Sequence, residues 1–257
     1  VDVVTMTTWL PTLAAAMARL TGLALTAPVL GSSLLPGRLR FMLAVVMAIA
    51  VTARTSEPLV LPAGAAAVAV LALELLVGVM VGLGGRLVVA GLELAGWHIS
   101  QQLGFSLAES YDPTADESFD VSGRLLGLLA VVIFLGIGGH RTMIRAVIDS
   151  FGAVGPLAAM SAPVVNVLAA MLMASFALAL KAAAPVLLAL LLAGAALGLL
   201  QRTMPQVNIL SVGLPIRAII GLVVLAASLA VLTPLIGQAT SEIFRHAELL
   251  TRGAGTL

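Results

Sequence analysis

Apolar runs cover most of this chain, at residues 9–30, 39–54, 64–92, 124–148, 164–200 and 207–237. A helix needs about 20 predominantly apolar residues to cross the hydrocarbon of a bilayer, and most of these runs reach or pass that length. They are too long and too numerous for the core helices of a soluble domain. Of the 257 residues 61% are hydrophobic and only 10% charged, whereas soluble domains are about 25% charged. The sequence therefore predicts an all-α polytopic integral membrane protein: one membrane domain over 1–257, with about six hydrophobic helical segments forming hairpins. The second run is short and stops at Arg54. The fifth is too long for one crossing and contains Pro185, which removes a backbone hydrogen bond and is expected to kink or divide it.

Beyond Arg86 the third run continues with helical period through "VVAGLELAGWHISQQLGFSLA" and carries Glu93, His98, Gln101 and Gln102, an amphipathic extension. Proline and glycine mark the breaks, in "APVLGSSLLPGR", "SEPLVLPAG", "YDPT", "SFGAVGP" and "MPQ". Asp2 and a run of threonines precede the first apolar run, where a cleavable signal has positive charge, so that run is expected to be retained. Residues 109–123 contain no Lys or Arg, while "GGHRTMIR" holds Arg141 and Arg145; the positive-inside tendency puts the first outside and the second inside. The same assignment puts Arg38 and Arg40 outside, against the tendency. Hydrophobic helices that pack on other proteins rather than lipid would produce such a conflict.

Enzyme signatures are missing. The single lysine, Lys181, lies between Leu180 and Ala182, so there is no Gly-Lys-Ser/Thr phosphate loop. His98, His140 and His246 are far apart with no metal-ligand spacing, and there is no cysteine to supply a thiolate or a disulfide. "GIGGHR" at 136–141 reads as a helix end with glycine at the cap, not a nucleotide loop. No catalytic residue, metal or cofactor is expected, and the scattered basic residues give no nucleic-acid surface. Glu74, Arg86, Glu93, Lys181 and Arg217 lie inside apolar runs. An ionised group at a bilayer centre costs about 2.5–3.5 kcal/mol on insertion scales, so each is expected near an interface or paired inside a bundle. A proton or substrate relay is the alternative. Gly78 with Gly82, Gly123 with Gly127 and Gly194 with Gly198 allow close helix approach.

"GFSLAESYDPTADESFDVSG", residues 104–123, holds five of the chain's twelve acids: Glu109, Asp112, Asp116, Glu117 and Asp120. Placing them in hydrocarbon would cost on the order of 10 kcal/mol or more, while each Leu or Ile returns only about 0.3–0.6 kcal/mol. The segment must sit in water. Yet Phe105, Leu107, Tyr111, Phe119 and Val121 give it apolar anchors that a solvated turn does not need, so both a plain exterior loop and a segment folded into an aqueous lumen stay open.

Three stretches together, "TAPVLGSSLLPGRLRFMLA" (26–44), "AGWHISQQLGFSLAESYDP" (95–113) and "QRTMPQVNILSVGLPIRAIIGL" (201–222), resemble the R-type inner-membrane subunits of flagellar and virulence type III export gates, the FliR/SctT family. "FLGIGGHRTMIRAVIDSFGAVGP" (134–156) fits the same family. The resemblance implies an all-helical subunit that closes a spiral of P-type and Q-type subunits (FliP and FliQ families), beside a B-type switch subunit (FlhB family), around the channel for unfolded export substrates. Some of its hydrophobic helices would then pack on sister subunits above the bilayer plane. It also implies localisation in the bacterial inner membrane, at the flagellar basal body, and a pore plug formed by the loop after the Gln-x-Gly motif.

Carried onto this sequence, that motif is Gln102, Leu103 and Gly104, followed by Asp112 and Pro113, with the plug at about 108–122. Methionine is usual in the family where Leu103 stands. The remaining matches, Pro28, Pro36, Arg38, Gly139, His140, Pro205, Gln206, Gly213, Pro215 and Arg217, are expected to be structural or subunit contacts, as is Glu74. The acidic character of the loop then suits a water-filled pore, and its apolar anchors suit closure between export events. Pro113 pushes the preceding residue out of helical geometry. The expected function is a structural and gating subunit without catalysis, most naturally flagellar, with a virulence homologue or a small-molecule secondary transporter as alternatives. A transporter would show paired broken helices and two related halves, and no such repeat is visible. The polar tail 238–257 is expected to dock a further export component.

Overall fold

The computed structural model describes residues 3–31, 36–53, 58, 59, 62, 64–104, 121–153, 164–204 and 209–252. Among them the chain is all helix, in seven elements: α1 (Val3–Thr26), α2 (Gly37–Thr52), α3 (Ala65–Leu103), α4 (Val121–Gly136), α5 (Gly139–Ala153), α6 (Val164–Thr203) and α7 (Ile209–Arg252). Among the described residues three helices are long and apolar enough to cross a membrane, in α3, α6 and α7, which makes up to four spans if the bent pair α4–α5 counts as one.

The fourth apolar run departs from the expected single helix. It breaks at Ile137–Gly138, and α4 and α5 are bent by 62° there. Gly138 takes φ +80, a left-handed conformation that glycine adopts without the steric cost paid by other residues. Its N–H donates to the Leu135 carbonyl at 3.1 Å, so glycine ends α4 as the "GIGGHR" reading expects. The fifth run is not divided at Pro185: α6 is continuous over 40 residues with the proline inside. One missing rung in so long a ladder is tolerated in membrane helices, where neighbouring groups re-satisfy the freed carbonyl. In α7, likewise, the stretch expected as a polar tail continues the helix to Arg252, and Ile243, Phe244 and Ala247 on it are buried.

Two compact units share these helices. The first comprises Val1–Leu87, Leu135–Ala174 and Thr240–Leu257, with Leu20, Leu23, Val81, Val147, Met171 and Ile243 at its centre. Within it α1 and α3 run parallel at close range: a methyl on Gly78 would collide with the Arg19 carbonyl oxygen, and one on Gly82 with Thr26 Oγ1. Thr26 Oγ1 is 3.1 Å from both the Gly22 and the Val79 carbonyl oxygens, so its proton is shared between the two helices. Helix α5 is amphipathic at the helical period, with Met143, Val147 and Ser150 buried and Arg141, Arg145 and Asp149 exposed. Helix α2 packs on α1 and buries Ala44, Ala48 and Val51, leaving Phe41, Met42 and Val46 exposed.

The second unit comprises Val88–Phe134 and Ser175–Ala239. Leu92, Ile99, Leu103, Leu126, Phe134 and Leu190 form its core. Here α3 and α4 are antiparallel, since Gly96 meets Ser122 and Gly123 while Glu93 meets Gly127. Phe176, Leu180, Leu188, Leu191 and Leu192 on α6 are each 60–71% exposed. Side chains of that kind in contact with water would be unfavourable by about 25 cal/mol per Å² of apolar surface, so this face belongs against lipid or protein.

Candidate functional site

The base of the acidic loop is built from α3 and α4. Helix α3 ends at Leu103, which is 2% exposed; its Cδ2 fills the space a side chain on Gly221 of α7 would take, next to Leu190 of α6. A compact apolar residue is what this three-helix contact accommodates. Gln101 and Gln102 are exposed. Gly104 then turns the chain at φ +88, its N–H donating to the Gln101 carbonyl at 3.2 Å.

On the return side α4 begins at Val121, so the last two residues of the expected 108–122 loop, Val121 and Ser122, are already helical. Ser122 and Gly123 are buried against α3, where a methyl on Gly96 would lie 2.5 Å from both the Ser122 carbonyl oxygen and the Gly123 Cα. Phe105, Glu109, Tyr111, Asp112, Pro113, Asp116, Glu117, Phe119 and Asp120 lie outside the described residues. Valine at Gly104 would strain a positive-φ position by about 1–3 kcal/mol. Alanine at Gly198, a helical glycine with no atom within 4 Å, would instead favour the helix by about 0.8–1 kcal/mol. The expected result is a lower thermal midpoint for Gly104→Val and an unchanged or higher one for Gly198→Ala, read on the purified protein in detergent.

A second cluster lies in the first unit. Arg19 Nε donates to Glu74 Oε2 at 2.6 Å, and Nη2 lies 2.6 Å from the same oxygen, with both side chains 3% exposed. Nη1 donates to Ser150 Oγ at 2.6 Å, and that hydroxyl donates onward to the Val147 carbonyl at 2.6 Å. The Phe151 ring lies 3.9 Å from the guanidinium carbon, a cation–π contact. Glu74 is thus paired inside the bundle, and it joins α1, α3 and α5. Arg19 is absent from the charges singled out in the sequence, although the signal was present: one arginine deep in the first apolar run needs a counter-ion as much as Glu74 does.

The other expected contact residues are dispersed. Pro28 is buried against Gly85 and, with Thr26, Gly31 and Arg86, lines a cavity of about 560 Å³. Pro36 caps α2, and both it and Arg38 are exposed. Gly139 is buried at the start of α5; His140 is half-buried, with Nδ1 sealed from solvent and without a hydrogen-bond partner among the described residues. Gly213 is buried, Pro215 exposed and Arg217 half-buried on α7, while Pro205 and Gln206 lie outside the described residues. Lys181 and Arg86 are exposed.

Residues 10–243 match the family model described as bacterial export proteins, family 1. A flagellar biosynthetic protein FliR from Pectobacterium carotovorum subsp. carotovorum is 32% identical over 242 residues, 91% of this chain and 90% of its own. One of the same description from Aquifex aeolicus (strain VF5) is 30% identical over 247 residues, 95% of each chain. Another, from Escherichia coli (strain K12), is 29% identical over 233 residues, 88% of this chain and 87% of its own.

Proposed function

The chain belongs to family 1 of the bacterial export proteins, and on that premise we propose that it is the R-type subunit of a flagellar export gate in the bacterial inner membrane, at the base of the flagellum. It helps form the mouth of the channel for unfolded substrates and closes that channel with residues 108–120. Its partners are P-type and Q-type gate subunits and the B-type switch subunit. The flagellar names of its relatives favour this over a virulence system. The role is structural; energy for export comes from other components.

The observation that carries the plug is the anchored base of the loop. Helix α3 runs on from Gly96 to Leu103, about 10 Å along its axis, and α4 starts back at the level of Gly96. Residues 105–120 can span roughly 50 Å when extended, far more than closing this hairpin requires. The excess chain carries the acids, which hold it in water, between an α3 end held by the buried Leu103 side chain and an α4 start held by the backbone contact at Gly96. The apolar outer face of α6 suits packing on sister subunits or lipid. Deleting 109–120 is expected to leave assembly with P-type and Q-type subunits intact, one copy per complex by native mass spectrometry, and to raise ion leakage through the membrane. Unchanged conductance in an assembled complex would remove the plug. Recovery of a lone monomer or symmetric dimer would remove the gate assignment itself.

A further inference from the structure

The geometry points to a binding site for the phosphate head group of an anionic phospholipid in the α6–α7 hairpin, with Arg217 as its anchor. Arg217 stands about 12 Å along the axis from the start of α7, close enough to the polar hairpin end at Gln201, Arg202 and Thr203 for a long side chain to reach the interface. It lines an open cavity of about 290 Å³ together with Gly194, Gly198, Gln201 and Gly213. A methyl on Gly194 would collide with Arg217 Nη2, so the missing side chain makes room for the guanidinium.

The hairpin gives that cation no counter-ion of its own. Helix α6 contains no acid, and the first on α7 is Glu242, about 37 Å along the axis from Arg217. Arg217 Nε is sealed from solvent and has no hydrogen-bond partner among the described residues, a costly state for a charged donor unless a ligand completes it. A guanidinium fork matches phosphate oxygens in paired hydrogen bonds, and basic pockets between membrane helices suit lipid head groups.

The neighbouring space selects an amphiphile over a free anion. A second cavity of about 110 Å³ shares Leu197, Gln201 and Gly213 with the first and is otherwise walled by Leu200, Met204, Val212 and Ile216. A charged chamber therefore opens beside an apolar one. Of the apolar walls Leu200 is 54% and Met204 58% exposed, so the site is reachable from lipid. Head-group phosphate on Arg217 and the start of an acyl chain in the apolar chamber would satisfy both. The site rests on membrane embedding alone and survives failure of the plug experiment.

The test is delipidated full-length protein in detergent, titrated with phosphatidylglycerol or phosphatidylcholine and read by native mass spectrometry. Wild type is expected to prefer phosphatidylglycerol by about tenfold, equivalent to about 1.4 kcal/mol. Arg217→Gln should bring the two lipids within about twofold, and Arg217→Lys should fall between, keeping charge without the fork. Gly198→Leu fills the cavity from a position with no atom within 4 Å and should also abolish the preference, which keeps the test decisive if Arg217→Gln fails to fold. Arg202→Gln should leave the preference intact. Retention of the preference in both the Arg217→Gln and Gly198→Leu proteins overturns the site. So does complete displacement of phosphatidylglycerol by inorganic phosphate at tens of millimolar, which would make it a simple anion site. Loss of co-purifying sister subunits with lipid preference unchanged would assign Arg217 to a partner's carboxylate and overturn it equally.

Discussion

Replacing Glu74 by alanine is expected to destabilise the protein by about 3–5 kcal/mol, the range found when one partner of a buried ion pair is removed. The guanidinium of Arg19 would lose the oxygen that both Nε and Nη2 approach at 2.6 Å, and it cannot shed its charge to adapt. Ser150 and the Phe151 ring remain beside it, but neither carries a negative charge. At about 2–4 °C per kcal/mol for a chain of this size, the thermal midpoint should fall by roughly 6–20 °C. The cost arises from the orphaned charge and not from lost attraction, so Arg19→Met with Glu74→Leu should recover most of it. Ser150→Ala removes one acceptor and should cost only about 1–3 kcal/mol. A double variant as unstable as Glu74→Ala would refute the orphaned-charge account, and a stable Glu74→Ala would show that the pair contributes nothing.

Helix positions were legible because lipid leaves the backbone few options: unpaired N–H and C=O groups are costly there, so every long apolar run folds as a helix. Breaks within runs were less so. Pro185 signals a kink or a division, and only division is absent: α6 runs through it, since one missing hydrogen bond is small against a 40-residue ladder. Gly138 breaks the fourth run at φ +80; the apolar tally merges the two helices, but the glycines of "GIGGHR" mark the end of α4. The pairing of Glu74 was readable in kind but not in partner, because Arg19 is 55 residues away and only the parallel contact of α1 and α3 joins them. Beyond Gln238 the charge density reads as a polar tail, yet Ile243, Phe244 and Ala247 recur at the helical period and are buried. Of the candidate plug, the sequence shows the acids and the glycine at its start. That α3 pins α4 through Gly96 is a tertiary contact with no local signature.

That contact should be the most sensitive point of the loop's base. The atoms facing Gly96 are backbone, the Gly123 Cα and the Ser122 carbonyl oxygen at 2.5 Å and the Gly123 nitrogen at 2.6 Å from an added methyl. No side chain can rotate away, so α4 itself must shift. Overpacking of this kind costs typically about 1–3 kcal/mol, occasionally more, and leucine should cost more than alanine. The displaced turn is also the return anchor of residues 105–120. Gly96→Leu is therefore expected to raise ion leakage in assembled complexes, as the 109–120 deletion does, whereas Gly136→Leu, at a glycine with no atom within 4 Å, should not. Combining the two lesions separates cause from coincidence, because changes acting through one element are not additive. If Gly96 acts by holding the loop in place, Gly96→Leu in the deletion background leaks no more than the deletion alone. Summed leakage would mean that Gly96 seals the protein by some other route and that the anchored loop is not the gate.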